Sequence, residues 1–181
     1  MRHILAILLL AATLPCFSQV APSSELARIY AEDQADRNGP PGSIDWSVVG
    51  PRDEARRGEV NRLLKAGSVR TAADYHAAAM IFQHGPTEQD IQAAYALASI
   101  GSLLDPTNKA LKWLSAAAWD RYLMRKGKPQ WYGTQYTLNQ ETKRFELYLV
   151  DPSAVTDEER FNLNVPSLAQ AKEREAELNR K

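Results

Sequence analysis

The run from Asp105 to about Lys126, DPTNKALKWLSAAAWDRYLMRK, most constrains what this chain can become. At about 100° per residue, Trp113, Ala117, Asp120 and Met124 share one stripe of a helix. Leu114, Ala118, Arg121 and Arg125 fall on the next, Leu111, Ser115 and Tyr122 on a third, and Ala116, Trp119 and Leu123 on a fourth. A helix apolar on nearly every side needs neighbours on nearly every side, which places it at the centre of a bundle. The small residues Ser115 to Ala118 let those neighbours approach closely. Asp120 then lies on an apolar stripe, where a carboxylate requires a partner to offset its desolvation. Adjacent helical side chains diverge by about 100°, so Arg121 is not that partner. Both residues must look to other elements.

The rest of the chain supplies them. Ser23 and Ser24 offer an N-cap to ELARIYAEDQADR, and Gly39, Pro40, Pro41 and Gly42 force a loop after it. IDWSVVG reads as a short extended or irregular piece, with Pro51 opening a helix, RDEARRGEVNRLLKA, that Gly67 stops. Thr71-x-x-Asp74 and Thr87-x-x-Asp90 are capping boxes that start AADYHAAAMIFQH and EQDIQAAYALASIGSLL. Short connections make consecutive helices antiparallel. Past Pro129, WYGTQYTL and KRFELYLV flank NQET as a β-hairpin, and Thr156-x-x-Glu159 caps a short helix. SLAQAKEREAELNR reads as a solvated surface helix or tail. The expected fold is mainly α: an antiparallel helical bundle, packed as helical hairpins in the manner of tetratricopeptide repeats, with one small C-terminal β-hairpin. Residues 19–181 form a single domain, with 170–181 a charged terminal helix or tail.

The first residues, MRHILAILLLAATLPCFSQ, read as a signal peptide: a basic start, a short apolar run, a break at Pro15, and a cut after Ser18. The expected destination is outside the cytoplasm, periplasmic or secreted, with no integral membrane segment left after cleavage. The cut removes the only cysteine, so the mature chain has neither a thiol nucleophile nor a thiolate metal site. His76 and His84 are then the remaining imidazoles. Net charge is +0, from 22 basic and 22 acidic residues, which argues against a nucleic-acid partner.

Three stretches, IFQHG (81–85), WDRYLMRKGKPQWYGTQY (119–136) and DPSAVTDEERFNLNVPSL (151–168), resemble a bacterial family known as domain of unknown function 6624. The resemblance spans roughly residues 71 to 170. It picks out Gln83, His84, Asp120, Arg121, Pro129, Gln130, Tyr132, Gly133, Thr134, Gln135, Arg160, Pro166 and Leu168. It implies a constellation of side chains and no particular reaction.

An imidazole, a carboxylate, a guanidinium and primary amides converging at one end of a bundle suit an anionic or amide-bearing ligand. They also suit acid–base chemistry in which Asp120 orients His84. His84 and Asp120 are therefore the candidate catalytic residues. Arg121, Gln83, Gln130, Tyr132, Thr134 and Gln135 are candidate binding residues. Glu32 and Asp36, near the end of the first helix and without an obvious local partner, are candidates to reach Arg121 or a ligand. Asp33 pairs with Arg37 one turn on. Neither a metal nor a cofactor is expected. The leading expectation is an exported module that binds a small molecule or a protein. The alternative is a small hydrolase or transferase using the His84/Asp120 pair.

Overall fold

The structure is a computed structural model that describes residues 20–39 and 43–180. The expected leader and its cysteine lie outside those residues. Seven helices appear among the described residues: α1 (Ser24–Ala35), α2 (Trp46–Lys65), α3 (Ala72–Gln83), α4 (Glu88–Leu104), α5 (Lys109–Arg125), α6 (Asp157–Asn162) and α7 (Leu168–Leu178). Between α5 and α6, strands β1 (Tyr136–Leu138) and β2 (Phe145–Leu147) pair antiparallel, with Tyr136 opposite Leu147. The fold is mainly α with one small hairpin, as the periodicity and turn signals imply.

Local chemistry explains most boundaries. Thr71 accepts the amide of Asp74 while the Asp74 carboxylate accepts the amide of Thr71, a reciprocal cap repeated at Thr87/Asp90 and Thr156/Glu159. Two starts differ from expectation. Residues 46–50 are helical, because Asp45 caps the amide of Ser47 and buried Val49 ties that turn to the protein. Pro51 thus lies inside α2, where it removes one backbone donor, and its unmatched acceptor belongs to exposed Ser47. The helix expected from Asp105 begins at Lys109 and packs on α4 and α3, so it is α3, touching α1, α2, α4 and α5, that lies at the centre of the bundle. Asn108 is the cap of α5, and Asp105 instead closes a local turn onto Thr107.

The core gathers Leu26, Ile29, Val60, Leu63, Ile81, Phe82, Leu111 and Leu114, each worth about 1.5–3 kcal/mol when buried. Alanines fill the seams: Ala78, Ala79, Ala94, Ala98, Ala117 and Ala118 are fully buried, which brings α3, α4 and α5 close together. At Gly101 even a Cβ would stand 2.7 Å from a Leu111 methyl and 2.9 Å from the Tyr75 Cβ, so glycine is what admits α3 and α5 against α4.

The last helix is not a loose tail. Its Glu175 carboxylate accepts the Leu147 amide (2.7 Å), and Asn179 both accepts from and donates to the Phe145 backbone (2.8 and 2.7 Å). Tyr136 donates its hydroxyl to the Ala171 carbonyl at 2.9 Å. α7 therefore covers an edge of the hairpin that would otherwise expose unpaired backbone groups. Among the described residues no helix is long and apolar enough to cross a membrane.

Candidate functional site

The polar residues singled out by sequence fall into two clusters. The first is built on Asp120, fully buried near the end of α5. One carboxylate oxygen accepts the amides of Trp131 (2.8 Å) and Tyr132 (2.9 Å). The other accepts the amide (3.0 Å) and hydroxyl (2.8 Å) of Thr134. Three amides can aim at one carboxylate because Gly133, at φ +82, turns the chain through a conformation that side chains rarely adopt.

The carbonyl side of the same loop is held as well. Arg160 of α6 donates to the Trp131 carbonyl (2.8 Å) and the Tyr132 carbonyl (3.2 Å), and is itself fixed by the Val155 carbonyl and Asp157 (3.1 Å each). Gln130, also fully buried, accepts the Gln135 amide (2.8 Å) and donates to the carbonyls of Gln135 (3.0 Å) and Tyr148 (2.9 Å). These bonds clamp residues 130–135 and shorten the expected hairpin, whose regular antiparallel ladder runs only from Tyr136, with Gln130 forming a separate bridge to Val150. Burial raises the Tyr132 phenol pKa, with nearby charges adding to it.

The second cluster joins α1, α2 and α3. Asp33 is buried. Its Oδ1 accepts from Arg37 (2.9 Å) and lies 3.1 Å from His84 Nδ1, and its Oδ2 accepts from Gln34 (2.8 Å). Arg37 reaches on to Asp53 (2.5 Å), Asp53 accepts from Arg56 (2.9 Å), Arg56 pairs with Asp36, and Asp36 accepts from Arg52 (2.8 Å). Three aspartates thus meet three arginines. Burial pushes the Asp33 carboxyl upward, but the bond and charge of His84, with Arg37 and Gln34, outweigh it and leave Asp33 below the usual carboxylate range. The Arg56 bond is the main cause holding Asp36 below that range.

This geometry corrects the expected catalytic pairing. Both oxygens of Asp120 are engaged by residues 131–134, and the carboxylate at His84 is Asp33. Glu32 and Asp36 do not reach Arg121. Glu32 stands on the outside, bonded to Arg28 at 2.7 Å, and Asp36 belongs to the α1–α2 network. His76 sits apart, edge-on to Tyr30 at 5.5 Å, and burial lowers its pKa.

Arg121 bridges the region between the clusters. It donates to the Gln83 carbonyl at the end of α3 (2.7 Å) and to the Gln135 side chain (3.2 Å). Gln135 in turn donates to the Ala117 carbonyl (3.2 Å) and the Thr134 hydroxyl (3.0 Å). No carboxylate among the described residues pairs with Arg121. Desolvation, with a smaller contribution from Arg125, lowers its pKa. Nearby, the side-chain oxygen of Gln83 is buried without a hydrogen-bond partner. The structure therefore brings Gln83, Arg121, Gln135, Thr134 and Asp120 into one connected chain, with Gln130 and Tyr132 behind it, and ties His84 to Asp33.

Sequence reasoning missed Asp53 and Arg56, whose signal was an i,i+3 pair on α2 that reads equally well as a solvated face. Among the described residues, no group of three or more histidine, aspartate or glutamate side chains is arranged to hold a metal. No protein family, curated protein or solved structure gives a significant match to the chain, so the site is argued from its own geometry.

Proposed function

We propose that the protein is an exported helical ligand-binding domain and that its ligand presents an anionic group to Arg121. One observation carries this reading: Arg121 is a half-buried guanidinium with two of its donors on neutral oxygens and no acidic partner among the described residues. A half-buried, partly desolvated cation without a counter-charge is disfavoured, and an anion bound there offsets that cost. Only Nε and Nη1 of Arg121 are engaged, so its Nη2 group is the donor left to face a carboxylate or phosphate oxygen. Export rests on the leader-like first residues.

The test is thermal unfolding of residues 19–181 against increasing inorganic phosphate or acetate. The wild type is expected to gain stability along a saturable curve, as binding to the folded state alone requires. Arg121→Gln should show only the unsaturable effect of added salt. Equal responses in both proteins reject the reading.

A second reading is favoured by the contact of His84 with Asp33. With its Nδ1 proton directed at the carboxylate, His84 presents Nε2 as a base, the arrangement a small hydrolase or transferase needs. Asp33 also holds Arg37 and Gln34, and these ties give it a packing role that needs no chemistry.

A further inference from the structure

On the helical wheel of α5, Trp119 lies about 160° from Arg121, so it opens onto a different face. A cleft of about 420 Å³ lies there, floored by Trp119, Tyr122 and Trp131 and rimmed by Lys126, Lys128 and Asp151. Trp119 is its hub. Its ring centroid stands 5.1 Å from Trp131, 5.3 Å from Tyr95 and 5.7 Å from Tyr122. Tyr122 and Trp131 each meet Trp119 and line the cleft with it, while Tyr95 packs on Trp119 outside the lining. The backbone sets the wall opposite α5. Lys128 donates its amide to the Leu123 carbonyl at 2.9 Å, which folds the chain back, and the Asp120 and Arg160 bonds then hold Trp131 by its backbone. The cleft is therefore preformed.

The geometry points to a saccharide as its ligand. Tyr122 and Trp131 are tilted by 33° and 62° to Trp119, so neither lies parallel to it, and the three rings offer a mixture of faces and edges. A pyranose suits such a floor: its face carries C–H groups with slight positive charge, which pack on the negative face of an indole. The rim is mixed in sign and nearly balanced. Lys126 is paired with Glu88 at 2.7 Å and lies over the Tyr122 ring, leaving Lys128 and Asp151. Asp151 receives the Ser153 amide and hydroxyl on one oxygen, and those bonds keep its pKa below the usual range, so it stays an acceptor. An ammonium and a carboxylate together match the donors and acceptors of neighbouring hydroxyls without selecting a charged ligand. The Trp119 indole N–H is also buried without an acceptor, a need that a ligand hydroxyl meets if the ring turns toward the cleft.

The test is native electrophoresis of residues 19–181 in gels containing hydroxyethylcellulose, glycol chitin, laminarin or soluble starch. At least one polysaccharide should retard the wild type. Trp131→Ala removes a cleft ring while keeping the backbone bonds to Asp120 and Arg160, and should weaken binding at least tenfold. Asp151→Asn, a milder change, should weaken it several-fold, and Trp46→Ala, whose ring is exposed elsewhere, should leave it unchanged. A wild type that migrates freely in all four gels overturns the proposal. So does retardation of Trp131→Ala or Asp151→Asn equal to that of wild type, or tryptophan quenching by a flat heterocycle such as caffeine without any polysaccharide retardation.

Discussion

Asp120 and Asp33 are both buried aspartates near helix ends, but they are stabilised by different means. Asp120 meets neutral donors only, three amides and a hydroxyl from one loop. Asp33 meets charged and chargeable groups from α1 and α3 and belongs to a chain of ion pairs that continues into α2. The first arrangement fixes the path of a backbone segment. The second fixes the packing of three helices. A carboxylate answered by amides depends on the loop keeping its shape, whereas one answered by guanidiniums depends on charge balance. The two clusters should therefore fail differently under mutation, acid and salt.

The largest effect is expected at the clamp. Asp120→Ala leaves three amides and a hydroxyl without their acceptor in a water-poor setting, at a cost of about 3–5 kcal/mol. Chemical denaturation measures the loss. Amide hydrogen exchange locates it, with protection falling first at Trp131, Tyr132 and Thr134. A loss below about 1 kcal/mol, or exchange unchanged in that loop, would mean the clamp is not what holds residues 130–135.

Why the sequence announced one cluster and concealed the other follows from these same partners. Asp120 stood out because it interrupts an apolar helix, and a lone carboxylate on such a face demands an explanation. Its answer was hidden, because backbone amides leave no mark in the residue pattern. Only Gly133, inside Tyr-Gly-Thr-Gln, hinted at the turn that gathers them. The α1–α2 network had the opposite character. Asp36 drew notice for lacking a local partner and Asp33 for facing Arg37, yet charged residues on helices are mostly solvated, so nothing showed that Arg52, Asp53 and Arg56 complete a network with them. The helical hairpins and their capping boxes were legible because they are local. The start of α2 was not, because buried Val49 and an Asp45 cap overrode the ordinary reading of Pro51. The aromatic cleft was invisible, since it joins Trp119 to Trp131 across a turn whose direction depends on the clamp.

An intermediate effect is expected at Asp33. Asp33→Asn removes the charge that faces Arg37 and His84 but keeps one oxygen acceptor, for a loss of about 2 kcal/mol near neutral pH. Acid should erase the difference. The folded-state pKa of Asp33 is depressed, so its contribution is complete above the unfolded value of about 3.9 and declines as pH falls through the folded value. Unfolding curves of both proteins, measured from pH 6 downward, should converge below about pH 4. A gap that stays constant to pH 2 would mean that the Asp33 charge is irrelevant and that only its shape matters.

The smallest effect belongs to the outer end of the same network. Arg52 is more than half exposed, and its bond to Asp36 at 2.8 Å is the outermost link of the chain that passes through Arg56 to Asp53. Water and dissolved ions reach it, so Arg52→Gln should cost no more than about 0.5 kcal/mol at low salt. At 1 M salt the screening length falls to about 3 Å, and that difference should vanish. The clamp has no ion pair at Asp120 to screen, so the penalty of Asp120→Ala should be the same at both salt concentrations. Measuring both variants at both concentrations separates the two clusters by their physics. If the Arg52 penalty exceeded 1 kcal/mol and persisted in salt, the link at Asp36 would behave as a buried member of the network, and the boundary between its inner and outer halves would move outward to Arg52.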